Sequence, residues 1–213
     1  MLHTYVRFFA LLTLVKFMTV PGTREHITRE HILDVASSLF MEHGYAAVSL
    51  RRIAEAVGLR TPSLYTHFPG GKEQLYVEAS ERALAQYREG IESSVRSTPD
   101  LRQALCAAAR WLLTQPPMNL ARMVRTDLTR LSPAHQRRLV ARAFECLIQP
   151  LLRWAEDAAA QGEIRGEHVP FVGPVFLVAT EGLPEAARYS GIPAERLAEG
   201  VVDLLLDGAR RRT

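Results

Sequence analysis

The sequence predicts an all-α fold, and three observations carry that prediction. No segment alternates apolar and polar residues with the period of two that a half-buried strand requires. Apolar residues recur instead at spacings of three and four. Gly and Pro then punctuate the chain into about nine helical segments with no long internal repeat.

The first helix is expected from about Thr28 to His43. Thr28 is placed to cap it and Glu30 suits its first turn. Ile32, Val35, Ala36, Leu39 and Phe40 share one face, and Gly44 ends it. A short second helix over Leu50–Val57 is capped by Ser49 and stopped by Gly58. A third covers about Pro62–His67, with Thr61 as cap and Pro62 in its first turn. After Pro69-Gly70-Gly71, a long fourth helix runs from about Lys72 to Arg96, with Leu75, Tyr76, Leu84, Tyr87 and Ile91 on its apolar side. Pro99 opens a fifth that reaches about Gln115, where Pro116-Pro117 break the chain. A sixth spans about Asn119–Arg130. Ser132-Pro133 start a seventh that continues to Gln161, with a kink at Pro150. The eighth spans about His168–Tyr189, disturbed at Pro170, Pro174 and Pro184, and Gly191-Ile192-Pro193 turn the chain into a ninth over Ala194–Arg211.

Composition bounds the class. The chain has 213 residues, 47% hydrophobic and 23% charged, which excludes a collagen-like or wholly disordered polymer. A net charge of +3 is too mild to announce nucleic acid. The basic residues are nearly all Arg, with Lys only at Lys16 and Lys72. Arg is the better residue for bidentate phosphate contacts. Cys106 and Cys146 make neither a disulfide framework nor a zinc site, and their apolar surroundings mark them as buried thiols. His26 and His31 do not share a helix face, so no metal site and no cofactor are expected. Residues 1–20 are mostly apolar, but the longest uncharged run, Phe8–Val15, falls short of the roughly 20 residues a membrane span needs. No membrane association is therefore expected. That segment reads as residues before a true start at Met18, as an extra helix, or as a weak targeting sequence. The expected organisation is an apolar extension over 1–21, one domain over 22–72 and a second over 73–213.

Ser49 to Phe68, SLRRIAEAVGLRTPSLYTHF, carries the function. Two short helices joined by a tight turn form a helix-turn-helix when three demands are met together. Ala54 is small where the second helix passes close. Gly58 permits positive φ in the turn. Leu50, Ile53, Val57, Leu59 and Leu64 pin the pair to a core. The second helix is then expected to present Thr61, Ser63, Thr66 and His67 outward, as short donors and acceptors for base edges and phosphates in a major groove. Tyr65 offers a hydroxyl to phosphate, and Lys72 at the next helix start offers an anion site. The expected DNA-binding set is Ser49, Arg51, Arg52, Arg60, Thr61, Pro62, Ser63, Tyr65, Thr66, His67 and Lys72. Arg24 and Arg29 could add an arm contact. Arg51 and Arg52 read equally well as a solvated face, and Phe68 as a core anchor. Residues 22–72 net only +1, so binding would rest on placed contacts rather than on a broad basic field.

Residues 28–79 closely resemble the DNA-binding region of the TetR family of bacterial transcriptional regulators. The resemblance is most specific in TPSLYTHF, Thr61–Phe68, and in Lys72-Glu73 followed by Leu75. It covers about a quarter of the chain; the remainder matches by length and helix number. Arg60 stands where many members carry Ser or Thr, and the link from Phe68 to Lys72 is one residue longer than is common. The resemblance implies an N-terminal three-helix helix-turn-helix domain, a larger C-terminal helical domain for ligand binding and dimerisation, and a homodimer whose last two helices pair in a four-helix bundle.

In the C-terminal region, Trp111, Met118, Met123, Phe144, Cys146, Trp154, Phe171 and Phe176 are available to line a pocket, although each reads singly as plain core. Arg110, Arg122, Arg125, Asp127 and His135 could supply its polar groups. Ala179, Gly182 and Ala186 form a small-residue strip, and Val201, Leu204, Leu205 and Gly208 an apolar face, for a dimer interface. The expected function is a cytoplasmic, non-enzymatic transcriptional regulator. It would bind a double-stranded, palindromic operator as a dimer, act as a repressor, and be released by an apolar or aromatic small molecule. The alternatives are a helical small-molecule-binding or interaction protein that has lost DNA binding, or an enzyme built on Cys106 or Cys146 with His135 or His168.

Overall fold

A computed structural model describes residues 28–95 and 100–209. The expectations for the 1–21 extension and for the Arg24 arm lie outside the described residues. Nine helices follow in order among those described. They are α1 (Arg29–Ala47), α2 (Leu50–Ala56), α3 (Thr61–His67), α4 (Gly71–Ser94) and α5 (Leu101–Leu113). Then come α6, which starts as Leu120–Arg122, α7, which starts as Pro133–Ala143, α8 (Val169–Ser190) and α9 (Ala194–Ala209).

Local chemistry explains most boundaries. The Thr28 hydroxyl accepts from the His31 N–H at 3.2 Å, and Ser49 and Asp100 cap α2 and α5 in the same way. Gly44 leaves the helical region at φ +80°, so α1 is interrupted where the sequence predicts. Other boundaries differ from expectation. Thr61 does not cap α3. Arg60 takes the cap position without a side-chain hydrogen bond, and Thr61 is the first helical residue ahead of Pro62. The sixth helix is not uniform: a widened π turn over Met123–Asp127 and a 3₁₀ turn over Leu128–Arg130 follow its first residues. In α7, Pro150 has no N–H for the Cys146 carbonyl and its ring crowds that carbonyl. The chain answers with a π turn over Phe144–Ile148 before continuing as Gln149–Ala160.

The molecule has two hydrophobic cores that share α4. The first gathers Ile32, Ala36 and Phe40 from α1, Ile53 and Ala54 from α2, and Leu64 and Phe68 around α3. It does not close at residue 72. Leu75, Tyr76, Val77 and Ala79 from the first turns of α4 belong to it, as do Leu128, Leu131 and Leu139 from far along the chain. The second core takes Leu84, Tyr87 and Ile91 from the far end of α4 and packs them with α5, α7, α8 and α9. One continuous helix therefore ties the helix-turn-helix to the C-terminal bundle.

Gly90 marks the tightest approach in the second core. A Cβ built there would lie 1.8 Å from the Trp111 ring, so the indole sits directly on the α4 backbone. Gly90→Ala is expected to displace Trp111 and lower stability by roughly 1–3 kcal/mol, the usual cost of overpacking, read as a lower urea midpoint. No helix among the described residues is long and apolar enough to cross a membrane.

Candidate nucleic-acid interface and effector cavity

The helix-turn-helix is built by its turn. The Leu59 N–H donates to the Ala54 carbonyl at 2.8 Å and the Gly58 N–H to the Glu55 carbonyl at 3.2 Å. This is the paired C-terminal cap that needs a left-handed residue, and Gly58 supplies it at φ +70°. Ile53, Ala54, Val57 and Leu64 are buried beneath the turn.

This packing decides which predicted residues face solvent. Arg60, Pro62, Tyr65 and Thr66 are exposed along α3, with Tyr65 at 50%. Thr61, Ser63 and His67 are half-buried, so the fully outward face expected of them is narrower than the sequence suggests. The Ser49 hydroxyl accepts from the Arg52 N–H at 3.1 Å and acts as a helix cap. Arg51 pairs with Glu55 one turn on at 2.8 Å, and Arg52 lies 2.7 Å from His43. Arg60 has no ion-pair partner among the described residues. Lys72 is half-buried with its ammonium 4.3 Å from the centre of the Tyr45 ring. Burial, and then the nearby Arg130 guanidinium, lower its pKa. Arg130, remote in sequence, thus joins Lys72 near the start of α4, a neighbour that linear spacing does not signal.

Behind this surface, α6 grips the end of α1. The Arg122 guanidinium donates to the Phe40 carbonyl at 3.1 Å, the Glu42 carbonyl at 3.2 Å and the Met41 carbonyl. These are the carbonyls that a helix C-terminus leaves without partners. The buried Asp127 carboxylate accepts from the Tyr45 N–H at 3.1 Å and from the Tyr76 hydroxyl at 3.4 Å, with Arg122 3.7 Å away. Burial and the Asp127 charge push the Tyr76 phenol well above its ordinary pKa. Arg122 and Asp127 therefore latch α6 to the helix-turn-helix unit and border only a small void beside it. His135 is bonded to Glu73 at 2.7 Å, while Arg110 and Arg125 are exposed. The Ser132 N–H and His135 hold the Glu73 carboxyl below its usual range.

A cavity of about 430 Å³ lies between α4, the α5–α6 connection and α8. Tyr87, Leu112, Met118 and Leu177 supply apolar wall, and Glu181 and Glu185 supply carboxylates. The Glu181 carboxylate accepts from the Leu120 N–H at 2.7 Å. The Tyr87 hydroxyl donates to the Pro116 carbonyl, and burial with the Glu181 charge pushes its pKa up to about 12.

The pocket residues expected from sequence scatter. Met118 lines the cavity, and Trp111 stands behind Tyr87, edge-on at 5.6 Å. Met123 lines a small void beside the latch, Phe144 an open groove between α7 and α8, and Trp154 flanks the second core. Cys146 and Phe176 are wholly enclosed in that core. Phe171 points outward at 62% exposure. It shares a helix face with Val175, Val178, Gly182 and Ala186, all exposed, while Ala179 is half-buried. On α9, Leu204 and Gly208 are exposed and Val201 and Leu205 half-buried. The nucleophile alternative loses its chemistry, because burial pushes both thiols up and away from the reactive thiolate. Among the described residues no cluster of acids, His or Cys could hold a metal.

Residues 32–79 match the family described as bacterial regulatory proteins, tetR family. The transcriptional regulator LmrA of Bacillus subtilis is 36% identical over 88 residues, covering 41% of this chain and 47% of LmrA. The chain thus spans about half the length of that curated relative. A solved TetR family regulator, PfmR from Thermus thermophilus, superposes with a TM-score of 0.64 at 29% identity, covering 87% of this chain and 98% of PfmR. AibR, solved with isovaleryl coenzyme A and operator DNA, shares the fold with a TM-score of 0.66 at 22% identity, over 84% of this chain and 97% of AibR. The helix-turn-helix region, residues 32–79, is therefore that of the TetR family of bacterial regulatory proteins, and it is set in an all-helical architecture shared with the solved TetR family regulator PfmR.

Proposed function

We propose that the protein is an effector-responsive transcriptional regulator that binds a palindromic operator as a dimer, acts as a repressor in the cytoplasm, and leaves DNA when a small molecule fills its C-terminal bundle. One observation carries this reading: the family match over residues 32–79 falls on the unit whose α3 exposes Arg60, Pro62, Tyr65 and Thr66. Tyr65 and Thr66 contact DNA, Arg60 and Lys72 add phosphate contacts, and Arg51, Arg52, Ser49, Thr61, Ser63 and His67 support or flank them. The exposed apolar face of α8, with Leu204 of α9, is the surface for a second copy. A two-fold pair would set two α3 helices about 34 Å apart, one helical turn of DNA.

Selection of random duplexes on the purified protein, followed by fluorescence anisotropy, tests the reading. A palindromic sequence is expected to emerge. Tyr65→Ala and Thr66→Ala should each weaken binding to it by about tenfold, the weight of one good contact. The salt dependence should be shallow, because few phosphates are neutralised per subunit. Enrichment of no sequence, with both variants indistinguishable from the parent, would leave a helical small-molecule-binding protein without DNA function.

A further inference from the structure

We propose that the cavity between α4, the α5–α6 connection and α8 is the effector site and that it takes a hydrophobic organic cation, an ammonium on an apolar body, seated against Glu181. The proposal rests on the effector-responsive reading above and names its ligand class. The size, about 430 Å³, and the walls of Leu112, Met118 and Leu177 suit an apolar body. The charge lining the cavity is all of one sign. Glu181 and Glu185 stand one turn apart on α8, and no Lys, Arg or His lines the space. Arg188 pairs with Glu185 at 2.9 Å, so Glu181 is the carboxylate left to answer a ligand. One Glu181 oxygen accepts from the Leu120 N–H at 2.7 Å. The other has no bonded partner among the described residues. The Tyr87 ring beside it offers a π face to a cation, with its hydroxyl already committed to Pro116. A ligand ending in carboxylate or phosphate would meet like charge here with no counter-charge in the lining.

The same contact supplies the coupling. Asn119 precedes α6 in left-handed geometry at φ +53° and offers no side-chain cap, so Glu181 is what holds the Leu120 N–H. Arg122 and Asp127, the latch on α1, follow on the same helix. A cation that draws on the Glu181 carboxylate loosens the start of α6 and shifts that latch, and with it the helix-turn-helix. A ligand acts in this way by its different affinity for the latched and shifted states.

Calorimetry on the full chain with decyltrimethylammonium, decanol and decanoate, all below micellar concentrations, tests the ligand class. The cation is expected to bind one per chain and about tenfold or more tighter than decanoate. Glu181→Gln keeps an oxygen for the Leu120 N–H but removes the charge, and should erase that preference. Equal or tighter binding of decanoate to the parent, or a preference unchanged in Glu181→Gln, overturns the proposal. In the anisotropy assay, the cation should weaken binding to the selected duplex in the parent and not in Glu181→Gln. If the duplex binds but the cation does not, this proposal fails and the regulator reading stands. If the cation binds with the stated preference but leaves DNA affinity untouched, the effector-responsive reading fails and the ligand class stands.

Discussion

Phe68→Ala is expected to unfold the helix-turn-helix while leaving the C-terminal bundle in place. Phe68 is wholly enclosed in the first core, with the Arg29 guanidinium 4.7 Å from its ring centre. Removing a buried phenylalanine costs about 3–5 kcal/mol, through lost transfer energy and the cavity left behind. That loss falls on one core only. The second core, around Leu105, Leu147 and Phe176, shares α4 with the first but has its own closed set of contacts. Denaturation followed by circular dichroism should therefore turn biphasic, with an early phase carrying the signal of α1 to α3. A single transition shifted as a whole would show instead that the two cores unfold as one unit.

Asp127→Ala is expected to lower stability by about 3 kcal/mol, a large effect for a side chain in neither hydrophobic core. The loss has named parts. The Tyr45 N–H and the Tyr76 hydroxyl lose their acceptor, and Arg122 keeps a half-buried charge without its carboxylate. Asp127→Asn should recover much of the loss, because an amide oxygen still accepts from Tyr45. A double-mutant cycle with Arg122→Ala, read by urea titration, would place the coupling. Strictly additive losses would mean that Arg122 holds α1 without help from Asp127.

Much of the fold is legible in the sequence because its signals are local. The caps at Thr28 and Ser49, the left-handed turn at Gly58 and the breaks at Pro116-Pro117 each depend on a few neighbouring residues. The small Ala54 and the spacing of Ile53, Val57 and Leu64 depend only on helix geometry, and these residues are buried as expected. The cavity is the opposite case. Apolar residues on an amphipathic helix look alike whether they face a core, a void or a partner. Cys146, Phe171 and Phe176 share the same composition signal, yet two are enclosed and one faces outward. Glu181 reads as an ordinary surface acid until the Pro116–Leu120 connection packs against it and the Leu120 N–H takes its carboxylate.

The sequence by itself determined the all-helical class and the helix-turn-helix. It could do so because these follow from periodicity, capping and turn chemistry within about 20 residues. Only the tertiary structure decided that α4 spans two cores, that Arg122 and Asp127 clasp the end of α1 some 80 residues away, and that a carboxylate of α8 holds the start of α6. Those pairings join elements far apart in the chain. They are selected by which buried donors find acceptors when the helices pack, and no local pattern encodes that choice.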